Sequence, residues 1–383
     1  MGRMKRFVSR TLSDSITTAT QWLGGAGPNT PPDIAPHPRV RFVYPTQTVE
    51  CAAFTSDGIG FGGKGSVLYR TRDFFRTMEP VDRLPSGETC YLVFVDSRDY
   101  VYWNAMGSGR LRRSTDGGNT WTTVLHLGAN PDRGFWRMCE QPTTGYLFAG
   151  EYTSKHAISC RVHRSRDWGE TWEEVLYVPG ERHVHAVHST DEGTVYAATG
   201  DSLSILYRST DNGDSWRIVR AGRNLTAIAS YGSTLLLGSD AGWSSDVWKS
   251  RDGGVTWESR LHLKPRRNIV WIRHFGYGVF LASHSLDVNP PQGLLPELLL
   301  SEDYGDTWTP VYRWNTTADW AGSWRESNVY QGWLHLSDEY GFNMMVTAVG
   351  APSSHLNPLP DGAMPGVRHP ESITVRNKVR EEA

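Results

Sequence analysis

One eight-residue phrase recurs along the chain and limits its fold more than any other feature. Five segments obey the pattern S-x-D-x-G-x-[TS]-W, at residues 114–121, 165–172, 209–216, 250–257 and 301–308. A degenerate sixth copy at residues 71–78 keeps the first hydroxyl and the Asp but has neither the Gly nor the Trp. From copy to copy the steps are 43, 51, 44, 41 and 51 residues. Repetition at about 40–50 residues is typical of β-propellers and other repeat arrays.

The residue types in the phrase suit a tight turn between two strands. Asp accepts backbone N–H groups from the residues just after it, and the Ser hydroxyl adds a further local bond. Gly adopts a positive φ, and Trp is a large apolar plug. Strand-like runs flank the copies, such as residues 204–208 before one and 121–125 at the end of another. We therefore predict a hairpin turn at each copy.

The phrase resembles the Asp-box, or BNR, repeat of sialidase-like β-propellers, over about residues 45–350. That family also includes other glycosidases, sorting receptors and photosystem assembly factors. The resemblance implies an all-β fold: a single closed propeller of four-stranded antiparallel blades, strands A to D, with the phrase between C and D. In the family these turns lie away from the ligand face. A structural role is therefore implied for the repeated aspartates, Asp116, Asp167, Asp211, Asp252 and Asp303.

We expect seven blades. First strands of six blades are predicted near residues 49, 90, 135, 183, 224 and 269. Strand-like runs within residues 324–349 form most of a seventh blade, and residues 39–44 would complete it and close the ring, which removes exposed sheet edges. Residues 373–375 compete for that edge, and a six-bladed propeller is the alternative.

Three regions follow from the extent of the repeats: an extension at residues 1–38, the propeller at 39–350 and a tail at 351–383 that competes to add a closing strand. In the extension, apolar residues recur at helical spacing, which predicts a short amphipathic helix before a Gly/Pro-rich linker. These residues are Val8, Leu12, Ile16, Ala19 and Leu23. We expect the helix to dock on the propeller or on a partner; contact with a membrane surface and an export or assembly tag are alternatives.

The composition gives no support for a nucleic-acid partner or for an anionic or spanned membrane. The formal net charge of −2 gives no global preference for nucleic acid or for an anionic membrane. No apolar run is long enough to span a membrane, and no secretory-type apolar core follows the basic start. The cysteines lack C-x-x-C spacing and are predicted to be buried free thiols, which favours a reducing, cytoplasmic compartment. They are Cys51, Cys90, Cys139 and Cys160.

Arginines recur close to the start of several predicted A strands. If the blades are radially equivalent, these guanidinium groups converge on one mouth of the central channel. Clustered arginines bind carboxylate, sulfate or phosphate groups through paired hydrogen bonds. The pattern predicts a site for an acidic oligo- or polysaccharide, although arginine at loop ends also serves solubility alone. The residues are Arg137, Arg182, Arg223, Arg267 and Arg325.

Two histidines form a second candidate site. His183 and His185 share one face of a predicted strand because side chains alternate along a strand. No cofactor is predicted, but this pair could chelate a divalent metal if a third ligand came from elsewhere. A general base and a packed histidine between blades are the alternatives. The third-ligand candidates are Glu151, His156, His274 and His335.

Glu151 and Tyr152 form a third candidate, in a predicted loop between strands B and C. The resemblance to sialidases implies a Tyr–Glu nucleophile, three arginines on the substrate carboxylate and an Asp as acid and base. The chain lacks the F/Y-R-I-P segment of sialidases, so these roles are not assigned residue by residue. Some polysaccharide lyases on seven-bladed propellers use His, Tyr and Arg, and the residue types here fit that scheme as well.

Two classes of function remain open on the sequence. In the first, the chain is a hydrolase or lyase of an acidic glycan, in which the arginines bind the anion and Glu151, Tyr152, His183 or His185 transfers a proton. In the second, it is a non-catalytic propeller that binds a glycan or protein, as an assembly factor, a receptor-binding protein or a virion component. An enzyme predicts a deep polar pocket with perturbed acid and base groups.

Overall fold

In a computed structural model, the described part of the chain consists of strands and connecting turns and contains no helix. The structure describes residues 37–348 except 44, 46, 86–88, 129–132, 154–158, 241–244, 264–266, 288, 290, 292, 315–321, 323–324, 331 and 338–342. The predicted N-terminal helix, the rival closing strand at 373–375 and His156 lie outside these residues. Within them, no helix has the length and apolar character needed to cross a membrane.

The strands are short, as expected for a propeller. In chain order they are β1 Val40–Val43, β2 Cys51–Phe54, β3 Gly60–Lys64, β4 Val67–Thr71, β5 Glu79–Arg83, β6 Cys90–Val95, β7 Val101–Ala105, β8 Arg110–Ser114, β9 Thr122–His126, β10 Arg133–Glu140, β11 Leu147–Thr153, β12 Ser159–Ser165, β13 Glu173–Pro179, β14 His183–Ser189, β15 Val195–Gly200, β16 Ile205–Ser209, β17 Arg217–Ala221, β18 Leu225–Tyr231, β19 Thr234–Ser239, β20 Ser245–Ser250, β21 Glu258–Leu263, β22 Arg267–His274, β23 Phe280–Leu286, β24 Glu297–Ser301, β25 Thr309–Arg313, β26 Arg325–Glu326, β27 Trp333–Ser337 and β28 Asn343–Ala348.

These strands form seven antiparallel sheets of four strands each, which confirms the seven-bladed propeller and excludes the six-bladed alternative. Blades 1 to 6 are built from consecutive strands, from β2–β5 through β22–β25. The first strand of a blade contacts the first strand of the next, for example β10 with β14 and β14 with β18. The first strands therefore line the central channel.

Blade 7 closes the ring with strands from both ends of the repeat region. Its order is β26, β27, β28 and β1, so residues near the start of the propeller supply its outermost strand, as predicted. Val40 pairs with Ala348 and Phe42 with Val346. Across the junction with blade 1, the Asn328 amide accepts the Phe54 N–H at 2.9 Å and donates to the Phe54 carbonyl at 2.8 Å.

The repeated phrase forms the turn between the third and fourth strands of its blade. In the first copy, Asp116 Oδ1 accepts the Thr120 N–H at 2.9 Å and Oδ2 accepts the Thr120 hydroxyl at 2.7 Å. Ser114 Oγ accepts the Gly118 N–H at 2.9 Å. The other four clean copies repeat these three bonds. The aspartates are therefore used to hold the turns, as expected.

The glycine of each turn also contacts the preceding blade. Gly118 has φ +86°, and a Cβ there would lie 2.6 Å from the Phe61 ring on β3. Gly169 likewise abuts Tyr102 on β7, and Gly213 abuts Phe148 on β11. In the degenerate copy Phe75, with φ +60°, replaces the glycine and is fully buried. The turns therefore bind each blade to the one before it.

Antiparallel order sets which loops share an end of the channel. The repeated turns join third to fourth strands, so they lie at the end where first strands finish. We call the opposite end, where first strands begin and second strands finish, the channel mouth. The four cysteines, predicted to be free thiols, form no disulfide, and three of them lie in first strands.

We expect Phe42→Ala to lower the free energy of unfolding by about 3–5 kcal/mol, because it opens a cavity beneath the closing strand. Phe42 is 7% exposed and its ring centroid lies 5.1 Å from that of Tyr312. Urea unfolding followed by tryptophan fluorescence measures the loss. Ile218→Ala is the matched control, since Ile218 lies on an outer strand and is 58% exposed. Equal losses in the two variants would contradict a structural role for the closing strand.

The turns predict loss of stability in acid. Hydrogen bonds from Thr120 and Ser215 lower the pKa values of Asp116 and Asp211 from 3.8 to about 2. Since the folded-state pKa lies below the unfolded one, this stabilisation is complete above about pH 4 and is lost as pH falls towards 2. Asp211→Asn should therefore lower the urea midpoint at pH 7 and lower it much less at pH 2. The exposed Asp191→Asn is the control, and an Asp211→Asn deficit as large at pH 2 as at pH 7 would contradict the mechanism.

Candidate functional site

A β-bulge interrupts the first strand near the channel mouth in five consecutive blades, blades 2 to 6. At each bulge the ladder skips a residue on the first strand, which redirects that side chain. The skipped residues are Tyr91, Trp136, His185 and Thr226, and in blade 6 Val270 with Trp271. Three of these six belong to one cluster at the mouth.

That cluster begins with an aromatic wall made of Tyr91, Trp136 and Tyr152. The Tyr152 ring centroid lies 5.4 Å from that of Tyr91 and 4.8 Å from that of Trp136. Two arginines cover the wall: the Arg325 guanidinium lies 4.5 Å from the centre of the Tyr91 ring and Arg137 lies 5.0 Å from that of Trp136. Burial and then the Tyr91 phenol raise the pKa of Tyr152, so it stays protonated at neutral pH.

The two predicted histidines continue this cluster. Tyr152 stacks on His183 with ring centroids 4.2 Å apart, and the His183 and His185 rings are 4.5 Å apart. Burial is the main cause that lowers the pKa of His183 to about 2 and of His185 to about 3. Both rings are therefore neutral at pH 7. His188 lies elsewhere and bonds to Ser230 Oγ at 2.7 Å.

A carboxylate faces the histidine pair. Asp201 follows the second strand of blade 4, and its Oδ2 lies 3.0 Å from His183 Nε2. Asn224 fixes Asp201 from both sides, because its Nδ2 donates to Asp201 Oδ1 at 2.6 Å and its Oδ1 accepts the Asp201 N–H at 2.7 Å. Asp201 has φ +80°, a backbone strain of about 1–3 kcal/mol. Arg182 pairs with the same carboxylate.

Gly200 gives His185 its position. A Cβ on Gly200 would lie 1.8 Å from His185 Cε1 and 2.5 Å from Asn224 Oδ1. The imidazole therefore packs directly against the backbone of β15, with its Nδ1 bonded to the Leu225 carbonyl at 3.0 Å. Only glycine leaves room for this contact.

Two more aspartates follow the second strands of the next two blades, Asp240 after β19 and Asp287 after β23. Burial, and then repulsion from Asp287, raise the pKa of Asp240 to about 7. With its amide turned so that the nitrogen faces Asp240, Asn268 donates to Oδ1 at 2.7 Å. Asp240 also lies near enough to Tyr152 to raise the pKa of that phenol. A carboxyl group that titrates near neutral pH therefore lies at the same mouth as the aromatic wall and acts on it electrostatically.

The structure brings three of the five predicted arginines to this cluster and places two apart. Arg137, Arg182 and Arg325 act on the histidines or Tyr152. Arg223 lies 3.2 Å from Asp246, and Arg267 lies 3.8 Å from Glu297, each in an ion pair within its own blade. Arg137 in turn pairs with Glu326 at 3.3 Å. Carboxylates therefore accompany four of the five arginines, Arg137, Arg182, Arg223 and Arg267.

The prediction that Glu151 and Tyr152 lie in a loop is wrong, because both belong to the strand β11 and pair with β10. Glu151 is separate from the Tyr152 cluster, because consecutive residues of a strand face opposite sides of the blade. Glu151 is 1% exposed, with Oε1 2.9 Å from His163 Nε2 and Oε2 3.5 Å from Arg161. The structure does not join Glu151 and Tyr152 into a Tyr–Glu pair. The other proposed third ligands also lie elsewhere: His274 stacks on Tyr231, and His335 packs beside Phe75.

Sequence reasoning did not select the wall residues Tyr91 and Trp136 or the aspartates Asp201 and Asp240. The wall depends on bulges, which leave no clear mark in the sequence. The aspartates did leave one: an Asp follows the apolar second strand in three successive blades. Chemically, the cluster combines stacking surfaces, a titratable carboxyl group and an imidazole pair facing a carboxylate.

Few curated proteins resemble the chain in sequence, whereas many solved structures resemble it in fold. No family model matches the chain. A xyloglucanase of Paenibacillus sp is 24% identical over 257 residues, which cover 54% of this chain and 24% of that protein. The chain therefore spans about a quarter of the length of this curated relative.

Two solved structures illustrate the fold similarity. YCF48 bound to D1 peptide matches with a TM-score of 0.57 and 13% identity, over 84% of this chain and 100% of that chain. Virginiamycin B lyase from Staphylococcus aureus matches with a TM-score of 0.59 and 12% identity, over 81% of this chain and 99% of that chain. At such identities the similarity concerns the propeller fold alone.

We expect Gly200→Ala to displace the His185 ring and to lower the free energy of unfolding by about 1–3 kcal/mol, since the added methyl group overlaps the imidazole. Urea unfolding measures the loss. In a His185→Ala background the same substitution should cost less, because the main overlap is gone. Fully additive losses in the double variant would show that Gly200 does not position His185.

Proposed function

We propose that the chain is a carbohydrate-active propeller that binds a glycan at the channel mouth and hydrolyses its glycosidic bond. The observation that carries this proposal is that Asp240 lies at the same channel mouth as the aromatic wall of Tyr91, Trp136 and Tyr152, where its charge acts on Tyr152. Flat aromatic rings with a polar edge suit the apolar faces of sugar rings. A carboxyl group that is still partly protonated at neutral pH suits proton donation to a glycosidic oxygen.

Glycosidases use two carboxyl groups, one as an acid and one as a base or nucleophile, and Asp240 and Asp287 are assigned to these roles. Asp240 donates its proton to the oxygen of the leaving sugar as the C–O bond breaks. Burial is the main cause that raises the pKa of Asp240, and the nearby Asp287 carboxylate adds to it. In hydrolysis, water attacks the anomeric carbon and the carboxylate takes the proton that water releases. We assign Asp240 as the general acid and Asp287 as the general base.

Arg182 provides the point at which an acidic sugar would be recognised. Its side chain is 37% exposed at the mouth, and its buried Nε has no hydrogen-bond partner among the described residues. A carboxylate or sulfate group on the glycan would bind that guanidinium beside Asp201. Because the other arginines of the cluster lie over aromatic rings or pair with Glu326, the acidic-glycan preference rests on Arg182.

The similarity to a xyloglucanase supports a glycan as substrate class, over the matched 54% of this chain. That relative is far longer than the matched segment, so its activity is carried over only as part of this proposal. The similarity to YCF48 bound to D1 peptide shows that the same fold also binds peptides. Detection of cleavage products therefore distinguishes a glycan-cleaving enzyme from a propeller that only binds its partner.

We expect Asp240→Asn to lower the rate of glycan hydrolysis by about 10²–10⁴-fold, because it removes the proton donor while keeping the side-chain volume. Reducing-end release from a panel of xyloglucan, uronic-acid, sulfated and sialylated polysaccharides measures the activity. Asp191→Asn, in the exposed turn between β14 and β15 at the other end of the channel, is the control. Glycan binding without any product from the wild-type chain would overturn the enzyme and favour a binding propeller.

The proposal also fixes the direction of the pH dependence. A general acid must be protonated, so activity should fall as pH rises through the Asp240 pKa of about 7. Removing the neighbouring charge in Asp287→Asn should move this fall to lower pH in any activity that remains. A wild-type pH–rate profile that rises through pH 7 would contradict the assignment of Asp240.

The acidic preference has its own test in Arg182→Gln. This variant should lose activity on the uronic-acid or sulfated polysaccharide and keep activity on a neutral one, because only the acidic substrate uses the guanidinium. Activity on each polysaccharide in the panel measures the selectivity. Equal losses on acidic and neutral substrates would remove the acidic-glycan preference while leaving the hydrolase in place.

A further inference from the structure

We propose that His183, His185 and Asp201 form a binding site for a first-row divalent transition metal ion of the zinc type. One ligand atom from each residue lies within 4.8 Å of the others. Asp201 Oδ2 is 3.0 Å from His183 Nε2, and Oδ1 is 3.8 Å from His185 Nε2. Ligand atoms around tetrahedral zinc are about 3.3 Å apart, given bonds of about 2.0–2.1 Å. Small side-chain movements therefore complete the site.

The hydrogen bonds of the two rings direct their Nε2 lone pairs into the site. His183 Nδ1 lies 2.9 Å from the Thr153 carbonyl oxygen, and His185 Nδ1 lies 3.0 Å from that of Leu225. A carbonyl oxygen can only accept, so each Nδ1 carries the proton and each Nε2 of a neutral ring is free to bind an ion. Metal-binding histidines typically bond to a carbonyl in this way.

His183 Nε2 has an unmet requirement that an ion would satisfy. The residue is 1% exposed, and its Nε2 makes no hydrogen bond with any described residue. Its contact with Asp201 is short but lacks hydrogen-bond geometry. A metal ion bound by both His183 Nε2 and Asp201 Oδ2 would not lie on the straight line between these two atoms. The two atoms then need no hydrogen-bond alignment, which agrees with the observed geometry better than an N–H donated to the carboxylate does.

The surroundings hold the carboxylate ligand in place before any ion arrives. Asp201 keeps its left-handed backbone because Asn224 binds both its N–H and its Oδ1. Arg182 pairs with Oδ2, the oxygen that also faces His183 Nε2, so an ion at the site would share that oxygen with the guanidinium. Gly200 lets His185 approach the backbone. Such outer contacts commonly determine the affinity of a metal site.

The ligand set selects the class of metal. Imidazole nitrogens favour zinc, cobalt, nickel, copper or iron, whereas calcium and magnesium prefer oxygen ligands. Three protein ligands leave a coordination position open to water or to a ligand at the mouth. Asp201 is 25% exposed, so an ion can reach the site from solvent. The inference does not depend on glycan hydrolysis.

Titration calorimetry with ZnCl₂ on the full chain, after treatment with a chelator, tests the proposal. We expect one zinc ion per chain and no comparable binding of magnesium. Cobalt should produce a visible absorption spectrum typical of the coordinated ion. His183→Ala and Asp201→Asn should each weaken zinc binding at least 10-fold, and Asn tolerates the positive φ at position 201. The exposed His126→Ala is the control.

The outcomes separate this inference from the proposed enzyme. No zinc binding by the wild-type chain, or equal affinity in the site variants and the wild type, would overturn the metal site. Circular dichroism of each variant shows whether it is folded, and Asp201→Asn remains informative if His183→Ala fails to fold. Asp240→Asn should bind zinc as the wild type does. A chain that cleaves glycans without binding zinc refutes only the metal site.

Discussion

The pairing of β1 with β28 is the contact on which the geometry of this propeller depends. It joins two strands from opposite ends of the repeat region into one blade, so blade 7 has four strands like the other six and the outer edge of β28 is paired. Once the ring is closed, all first strands face a common axis. Residues far apart in sequence, such as Tyr91, Tyr152 and Asp240, then border the same mouth.

The two ends of the channel have different tasks. At one end, the repeated turns hold their shape through Asp and Ser side chains, and their glycines abut the preceding blade. At the other end, bulges interrupt the first strands and redirect the side chains of Tyr91, Trp136 and His185, which lie together in one cluster. A sheet that pairs regularly cannot place neighbouring side chains in this way, so the irregularity near the mouth is what builds the site.

Electrostatics explain why arginine positions alone did not define the site. A buried guanidinium requires a carboxylate, since an unpaired charge in the interior is costly. Arg137 meets Glu326, and Arg267 meets Glu297. The positions of the carboxylates therefore matter as much as those of the arginines in deciding where an anion could bind. Asp240 is distinctive because burial and a like-charged neighbour, rather than a cation, set its environment.

The sequence by itself determined the all-β propeller, the turn at each repeat and the closing strand near residue 40, because these depend on local hydrogen bonds and on a period that the chain repeats. It also indicated that His183 and His185 are neighbours, since they lie on one strand. Only the tertiary structure decided that Asp201 faces them, that Glu151 is turned away from Tyr152, and that Arg223 and Arg267 pair within their own blades. These contacts join different strands or depend on bulges, and the local sequence does not record which side chains ring closure brings together.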